Sequence, residues 1–461
     1  MIGTSACRLL LLAAYLVLCG CSKPASSPPP PSEWTTAYWF WPGGFARPAT
    51  ADKTLETIYF HSGVVRNDTG NFAKQRWVVY SELPRELPPA HEYWLVFRFE
   101  RQSVPDLQAV PLLLRRLSQI RESARQRHLN VAGVQLDIDS PTGKLPQYAR
   151  FLREVARGLP SGMRLSITAL LDWFRDGTAV DDVIEEVHEF VPQFYDLADQ
   201  SPYGGGIAIA SKVDAARWAP RFNRFRKPFR IGISTFGRAR FLPRGDPSRR
   251  SAQGETWYRD LKPFDISTNP SFQLQAERNE AGELVLNYRA VRATNISYHS
   301  FDPGDALQFI LSTPETVRAA AGQAKRIGGY CAGISFFRWP GVDEDLVMEP
   351  DMVLRAAAGL PPRPPGIEPA EGHCASVHCV DIYLTGTNPL AAQAEQFTIK
   401  SSTELEYFLP EQGVPVIMSG PKQLTLTLPP YCGRGRLLLG HTVTLKPATF
   451  AVARSANEEK R

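Results

Sequence analysis

From Trp34 to Trp339 the sequence repeats one pattern, in which a short apolar run is followed by a longer stretch of helical periodicity. The runs are rich in β-branched and aromatic residues, as β-strands are. Eight of them follow one another: Ala37–Trp41, Thr57–His61, Tyr93–Phe99, Val131–Ile138, Arg164–Leu171, Phe190–Tyr195, Phe229–Phe236 and Ala332–Trp339. Eight buried strands that alternate with helices predict an α/β fold, a (β/α)8 TIM barrel over residues 35–360.

The largest departure from the repeat lies between the seventh and eighth runs. Residues Ser271–Ala293 predict a β-hairpin, and Pro314–Ile327 predicts a helix that leads into the last strand. Beyond the Pro-rich break at Pro361–Pro365, short alternating runs replace the helical periodicity. The barrel is therefore expected to carry an insertion before strand eight, followed by a small all-β, sandwich-like domain over residues 366–461.

The N-terminus has the order of a signal peptide. One early cation, Arg8, precedes the apolar stretch Leu9–Leu18, which is about half of the roughly 20 residues that cross a bilayer. The ending Leu-x-Gly-Cys resembles the lipobox of bacterial lipoproteins. That resemblance implies removal of residues 1–20 and acylation (palmitate) of Cys21, with residues 21–34 as a Pro-rich linker. An ordinary secretory signal with an incidental cysteine is the alternative.

This reading places the chain in the bacterial cell envelope, bound to a membrane through its N-terminal lipid. Ser22 after the cysteine resembles the signal for an outer-membrane destination, facing the periplasm or the cell surface. The net charge is only +5, and no block of Lys or Arg stands out, so no nucleic-acid partner is expected. A phosphate-cradling glycine loop is also absent from the sequence, and no cofactor is expected.

Cysteines near the C-terminal domain suggest a cross-link. Export makes disulfides possible, and Cys374 and Cys379 are close enough in sequence to close a small loop. Free thiols are one alternative. A zinc site with His373 and His378 is another, although the prediction is a disulfide and no metal.

In a barrel of this type, active sites gather at the carboxyl ends of the strands. The fourth predicted strand ends in Asp137 and Asp139, whose side chains point to the same side, with Gln135 below them in the same row. Crowded carboxylates raise each other's pKa, so one can stay protonated. A protonated carboxyl is what a general acid for glycosidic cleavage needs.

Aromatic residues occur at several other predicted strand ends. Trp41, Trp173 and Trp339 are expected to surround the mouth, with Arg338 beside the last of them. Flat apolar rings suit the C–H faces of sugars, and these residues, together with Gln135, are candidate substrate contacts. Packing in the core is the alternative for each Trp.

The barrel resembles family 18 chitinases. Their Asp-Gly-x-Asp-x-Asp-x-Glu signature would fall on Ala132 to Asp139, their Met-x-Tyr-Asp on Gln193 to Asp196, and their strand-eight Trp on Trp339. Over residues 35–345 the chain more closely resembles bacterial lipoproteins of unknown function that have glycoside-hydrolase-like barrels. It departs from the chitinase pattern where Asp139 replaces the acidic Glu and where Ala132 and Gln135 replace aspartates.

The resemblance implies a set of catalytic roles. Asp139 would protonate the leaving oxygen, Asp137 would orient an N-acetyl group acting as internal nucleophile, and Tyr195 would hydrogen-bond that group, with Asp196 beside it. The expected function is that of an envelope glycoside hydrolase acting on a polysaccharide that contains amino sugars. A substrate without an acetamido group would need a second carboxylate from another strand, such as Asp196, Asp172 or Glu100.

Two other interpretations remain open. A non-catalytic glycan-binding or polysaccharide-assembly lipoprotein would keep the aromatic cleft and lack the acid. Alternatively, Asp137 and Asp139 are structural carboxylates satisfied by Arg98, Arg338 or backbone amides. A glycosyltransferase is disfavoured because nucleotide sugars are scarce outside the cytoplasm.

Overall fold

A computed structural model describes residues 29–41, 55–68, 76–100, 106–195, 212–244, 256–258, 261–280, 282–341, 344, 346–372, 378–388, 390–411, 413–431 and 436–454. Cys21, Asp196 and Cys374, on which sequence predictions rest, lie outside the described residues. Within these ranges, no helix has both the length and the apolar character needed to cross a bilayer.

Eight parallel strands form the closed barrel, and a ninth strand, β3, adds to its rim in antiparallel orientation. The strands of this sheet are β1 (Thr35–Phe40), β2 (Leu55–Asp68), β3 (Arg76–Ser81), β4 (Ala90–Phe99), β5 (Val131–Asp137), β6 (Arg164–Leu170), β7 (Glu189–Phe194), β8 (Phe229–Ser234) and β16 (Cys331–Phe337). Strand β1 pairs with β2 on one side and with β16 on the other, which closes the ring. The predicted TIM barrel is confirmed.

Helices cover the outside of the barrel and follow most of its strands. They are α1 (Ala109–Gln126), α2 (Leu145–Gly158), α3 (Val180–Glu185), α4 (Ala215–Asn223), α6 (Pro314–Ile327) and α7 (Pro350–Ala357), whereas α5 (Pro263–Ser267) belongs to the insertion before β16. The sequence marks the start of α6 clearly, because Thr313 and Thr316 form a reciprocal capping box and Pro314 occupies the first turn. Gly328, with a φ of 58°, ends the same helix.

Side chains alternate between the barrel interior and the helical layer. On β1, Trp39 points inward, whereas Tyr38 and Phe40 pack outward among the residues that contact the helices. The interior is filled with large side chains, and Gly232 makes room for one of them, since a Cβ there would lie 3.0 Å from the Trp39 indole. Burial on both faces explains why the strands read as nearly continuous apolar runs.

The insertion between β8 and β16 is a five-stranded antiparallel sheet with a small two-stranded ribbon. Its strands are β9 (Gly237–Leu242), β10 (Thr256–Tyr258), β11 (Phe272–Arg278), β12 (Leu284–Ala290), β13 (Thr294–Ile296), β14 (His299–Phe301) and β15 (Ala306–Leu311). The predicted hairpin is confirmed, because β11 and β12 pair from Phe272 and Ala290 to Arg278 and Leu284.

The C-terminal domain consists of two four-stranded antiparallel sheets that share one apolar core. Its strands are β17 (Gly366–Glu371), β18 (Cys379–Thr385), β19 (Glu395–Ser401), β20 (Leu405–Pro410), β21 (Val416–Gly420), β22 (Gln423–Leu428), β23 (Arg436–Thr444) and β24 (Phe450–Arg454). Phe264 of α5 joins this core, so the domain packs against the insertion. Cys379 forms a disulfide, and its pairing with Cys374 stays a prediction.

Candidate functional site at the barrel mouth

Asp137 ends β5 at the mouth of the barrel, between side chains of the two neighbouring strands. Thr168 of β6 donates its hydroxyl to Asp137 Oδ1 at 2.8 Å. On the other side, Arg98 of β4 is the register partner of Asp137. The side chain of Gln193 on β7 also hydrogen-bonds to the carboxyl group. Four adjacent strands therefore contribute to the surroundings of this one side chain.

The environment of the two aspartates favours protonation. Burial and the nearby charge of Asp139 raise the pKa of Asp137 from 3.8 to about 6, although its hydrogen bonds and Arg98 act in the opposite direction. Asp139 follows the strand and is exposed at the rim, yet partial removal from water still raises its pKa, against the effect of Arg98. The pair thus retains a proton at a higher pH than isolated carboxyls would.

Tyr195 lies directly after β7 and completes the polar part of the mouth. Burial and the negative charges of Asp137 and Asp139 raise its pKa well above the ordinary value, so its hydroxyl remains a donor. Its ring stacks on Phe337 with centroids 5.0 Å apart and planes inclined by 11°. Phe337, at the end of β16, also packs edge-on against Trp41.

A second group of side chains lies on β2 and β4 and directly after β1. The rings of Trp41 and His61 are 4.4 Å apart, and the Arg98 guanidinium lies 5.7 Å from the Trp41 ring. Burial and the charge of Arg98 lower the pKa of His61 from 6.5 to about 4. His61 is therefore neutral at ordinary pH.

Below the mouth, a buried polar network holds the interior together. The Trp39 indole donates to Gln135 Oε1 at 2.6 Å, and Gln135 donates to Ser166 at 3.1 Å. Ser166 in turn donates to Glu189, which also accepts from Tyr59. Gln135 has no exposed surface, so the structure corrects the prediction that it contacts substrate: it lies beneath Trp39 and positions that ring.

The structure also corrects the positions of two tryptophans. Trp173 has no exposed surface, because β6 ends at Leu170 and a short 3-10 helix turns its indole to donate to Ser140 O at 2.8 Å. Trp339 is 3% exposed and packs edge-on against Tyr38, outside the barrel wall. Both are core residues and neither lines the mouth.

Phe337 is the aromatic residue of β16 that sequence reasoning missed. It shares the inward face of the strand with Ser335, whereas Trp339 lies beyond the end of the strand at Phe337. Alternation of inward and outward side chains along Cys331–Phe337 identifies Phe337 as the last inward residue of the strand. The error came from extending the strand by two residues.

The remaining candidates lie on the rim. Arg338 is held by Glu344 through two contacts of 2.6 Å, so its guanidinium is already engaged within a loop. Asp172 is exposed and pairs with Arg175 at 2.6 Å. Glu100 is exposed directly after β4. The interpretation in which Arg338 satisfies Asp139 therefore lacks the required contact.

Residues 94–257 match the sequence profile of a family described as a domain of unknown function, DUF3142. The match is a similarity that covers about a third of the chain. Arg98, Asp137, Asp139, Thr168 and Tyr195 all lie within it. The remaining strands of the mouth come from the flanking sequence. No curated protein matches the chain.

Solved structures give distant matches. The spore cortex-lytic enzyme SleL of Bacillus cereus is 14% identical over 72% of this chain and 75% of its own, with a TM-score of 0.45. The C-terminal domain of a putative chitinase from Desulfitobacterium hafniense is 12% identical over 70% of this chain and 99% of its own, with a TM-score of 0.44. A GH18 chitinase from Cycas revoluta in complex with (GlcNAc)3 is 12% identical over 70% of this chain and 99% of its own, with a TM-score of 0.43. Likenesses of this size carry no information on activity.

The mouth thus joins four predicted residues, Trp41, Asp137, Asp139 and Tyr195, with five that were not predicted as ligand contacts. These five are His61, Arg98, Thr168, Gln193 and Phe337. Together they place carboxyl groups that hold protons beside flat apolar rings. Such an arrangement can donate a proton to a sugar oxygen and pack against a sugar ring.

Proposed function

We propose that the chain is a glycoside hydrolase acting on a polysaccharide that contains amino sugars, with Asp139 as the general acid. The observation that carries the proposal is the pairing of Asp139 with Asp137 at the end of β5, where the Asp137 pKa is about 6. Two neighbouring carboxyls whose pKa values are raised by burial, that of Asp137 also by the charge of Asp139, resemble the acid/base pairs of glycosidases.

In the proposed mechanism, exposed Asp139 protonates the glycosidic oxygen while the bond to the anomeric carbon breaks. The acetamido oxygen of the substrate attacks that carbon, and Asp137, fixed by Thr168, orients and charge-stabilises the acetamido group. Tyr195 donates a hydrogen bond to the same group. Water then opens the cyclic intermediate and returns a proton to Asp139, which restores the enzyme.

The aromatic side chains supply the binding surface in this proposal. The stacked pair of Phe337 and Tyr195 and the partly exposed Trp41 offer ring faces and edges beside the aspartates. Sugar rings present C–H groups that pack on such surfaces.

We also propose that a lipid on Cys21 anchors the protein in the cell envelope, where polysaccharide is its ligand. Support comes from the order of the first 21 residues and from the Pro-rich segment behind them. Globomycin treatment of the producing cells should preserve the uncleaved precursor. Processing that continues normally, or that survives Cys21→Ser, would contradict the lipid anchor.

Hydrolysis is tested by incubating purified mature protein with chitin oligosaccharides and with other amino-sugar polymers and counting new reducing ends. Asp139→Asn should reduce release about 100-fold or more, since it removes the general acid. Asp181→Asn is the matched control, because Asp181 is an exposed carboxylate on α3 that pairs with Arg224. Release that is equal in Asp139→Asn and wild type would exclude the acid role.

A non-catalytic glycan-binding function is the second candidate, and Arg98 favours it. Its positive charge lowers the pKa of both Asp137 and Asp139, which opposes the proton retention that an acid requires. Binding without release, unaffected by Asp139→Asn and lost in Phe337→Ala, would support this candidate over the hydrolase.

A further inference from the structure

Arg98 is the exposed cation of the mouth. Trp94, Val96 and Arg98 alternate along the inner face of β4, which brings Arg98 to the rim at the carboxyl end of the strand. Its guanidinium lies 5.7 Å from the Trp41 ring, within the range of a cation–π contact. The side chain is thus held over an aromatic surface and remains accessible to solvent.

Among the described residues, the charge of Arg98 is not matched by an ion-pair partner. No carboxylate in the described part of the chain forms an ion pair with it, although Asp137 is its register partner on β5. Asp137 instead accepts hydrogen bonds from Thr168 and Gln193, on the opposite side. Arg164 differs, because it lies over Trp94 and pairs with Glu92 at 2.6 Å.

The position of this cation has a chemical consequence. Asp137 and Asp139, when ionised, repel a negatively charged ligand at close range, and a cation beside them offsets that repulsion. A planar guanidinium also presents two parallel N–H groups that match the two oxygens of a carboxylate. A neutral glycan would gain less from such a group at this point.

We propose that Arg98 determines specificity by binding the carboxylate of an acidic sugar unit in the polysaccharide that occupies the mouth. This inference rests on the proposed function, in that the ligand is a glycan bound beside Asp139. Two chemical sources supply such a carboxylate: a uronic acid ring, and a lactyl ether on an amino sugar. Trp41 positions the guanidinium by stacking beneath it.

The test compares matched polymers. Hyaluronan alternates an N-acetylated amino sugar with a uronic acid, and its carboxyl-reduced form is neutral but otherwise the same. Wild type should bind hyaluronan about tenfold more tightly than the reduced polymer, which is typical of a charge-assisted hydrogen bond, and the difference should fall as salt increases. The second arm uses peptide-free glycan strands whose amino sugars carry lactyl carboxylates. Their binding is compared with that of the same strands after reduction of the carboxyl groups.

Arg98→Gln should abolish the preference for the carboxylated polymer in whichever arm shows it, so that the ratio of the two affinities falls from about ten to about one. Arg98→Lys should keep only part of the preference. The positive charge remains, but the two parallel N–H donors of the guanidinium are lost. Arg217→Gln is the matched control, since Arg217 is an exposed arginine stacked on Trp218 of α4, away from the mouth. Thermal unfolding of each variant verifies folding.

The outcomes separate this inference from the proposed function. Equal binding of carboxylated and reduced polymers in both arms overturns the role of Arg98, even if chitin oligosaccharides are cleaved. An Arg98→Gln variant that weakens both polymers equally overturns it as well. A carboxylate preference that depends on Arg98, without release of reducing ends from any polymer, supports the inference while contradicting the hydrolase.

Discussion

Trp39 on β1 donates its indole N–H to Oε1 of Gln135 on β5, at 2.6 Å, through the interior of the barrel. This bond fixes a large interior ring against Tyr195, whose ring centroid lies 5.8 Å away. The floor of the mouth is therefore set by a residue that no ligand touches. A change at Gln135 should act on stability and on the shape of the mouth.

Gln135→Leu should lower the free energy of unfolding by about 2–4 kcal/mol, because it leaves the buried Trp39 N–H without an acceptor and removes the hydrogen bond that Ser166 Oγ accepts. Denaturant unfolding measures the loss. Gln126→Leu, at an exposed position on α1, is the control and should change stability by less than about 0.5 kcal/mol. Equal effects of the two substitutions would contradict a structural role for the Trp39–Gln135 bond.

Asp137→Asn should remove a pH dependence of stability. Because the folded-state pKa of Asp137 is raised from 3.8 to about 6, the folded protein binds the extra proton, and stability falls as pH rises through this window. The free energy of unfolding of the variant, relative to that of wild type, should therefore rise by up to about 3 kcal/mol between about pH 4 and about pH 7, as a shift of about two pKa units implies. Urea unfolding at both pH values measures this, and a constant difference would be the contrary result.

His61→Phe should produce a pH dependence of the opposite sign. The folded-state pKa of His61 is lowered from 6.5 to about 4, so below about pH 6.5 the unfolded chain takes up a proton that the folded protein resists. As pH falls to about 4, the free energy of unfolding of wild type should decrease by up to about 3 kcal/mol more than that of the variant. The phenyl ring keeps the contact with Trp41, and parallel pH curves of the two proteins would refute the buried neutral histidine.

Trp339→Ala and Phe337→Ala should separate stability from ligand binding. Trp339 is buried against Tyr38, and its truncation should cost about 3–5 kcal/mol of unfolding free energy. Phe337 is only partly buried and faces the mouth, so its truncation should mainly weaken glycan binding. Glycan affinity measured below the unfolding range tests the pair, and a binding loss confined to Trp339→Ala would reverse the assignment.

The barrel could be predicted because its strands are buried on both faces and its helices on one. These two burial patterns leave different periods in the sequence, and all eight parallel strands fall within the predicted runs or overlap them. Strand β3 was missed. It lies at an edge, next to residues outside the described part, and its pairing with β2 depends on tertiary contacts that Arg76–Ser81 alone does not reveal.

The site could be predicted only where strand ends were estimated correctly. Asp137 and Trp41 lie where alternation places them, because β5 and β1 end at or next to these residues. The predicted positions of Trp339 and Trp173 were wrong because both strands were predicted two or three residues too long, which displaces the last side chains. Arg98 was considered only as a partner for the aspartates, since the sequence does not show that its guanidinium turns toward Trp41 instead.

Closure of the barrel has a consequence for biogenesis. Strand β1 lies between β2, its neighbour in sequence, and β16, where Thr35 and Ala332 are 297 positions apart. Until the chain has emerged as far as Phe337, β1 and β8 each present an unpaired edge, which invites pairing with other chains. Contacts of such long range also slow folding. The two edges are covered only when β16, the last barrel strand, pairs with both β1 and β8.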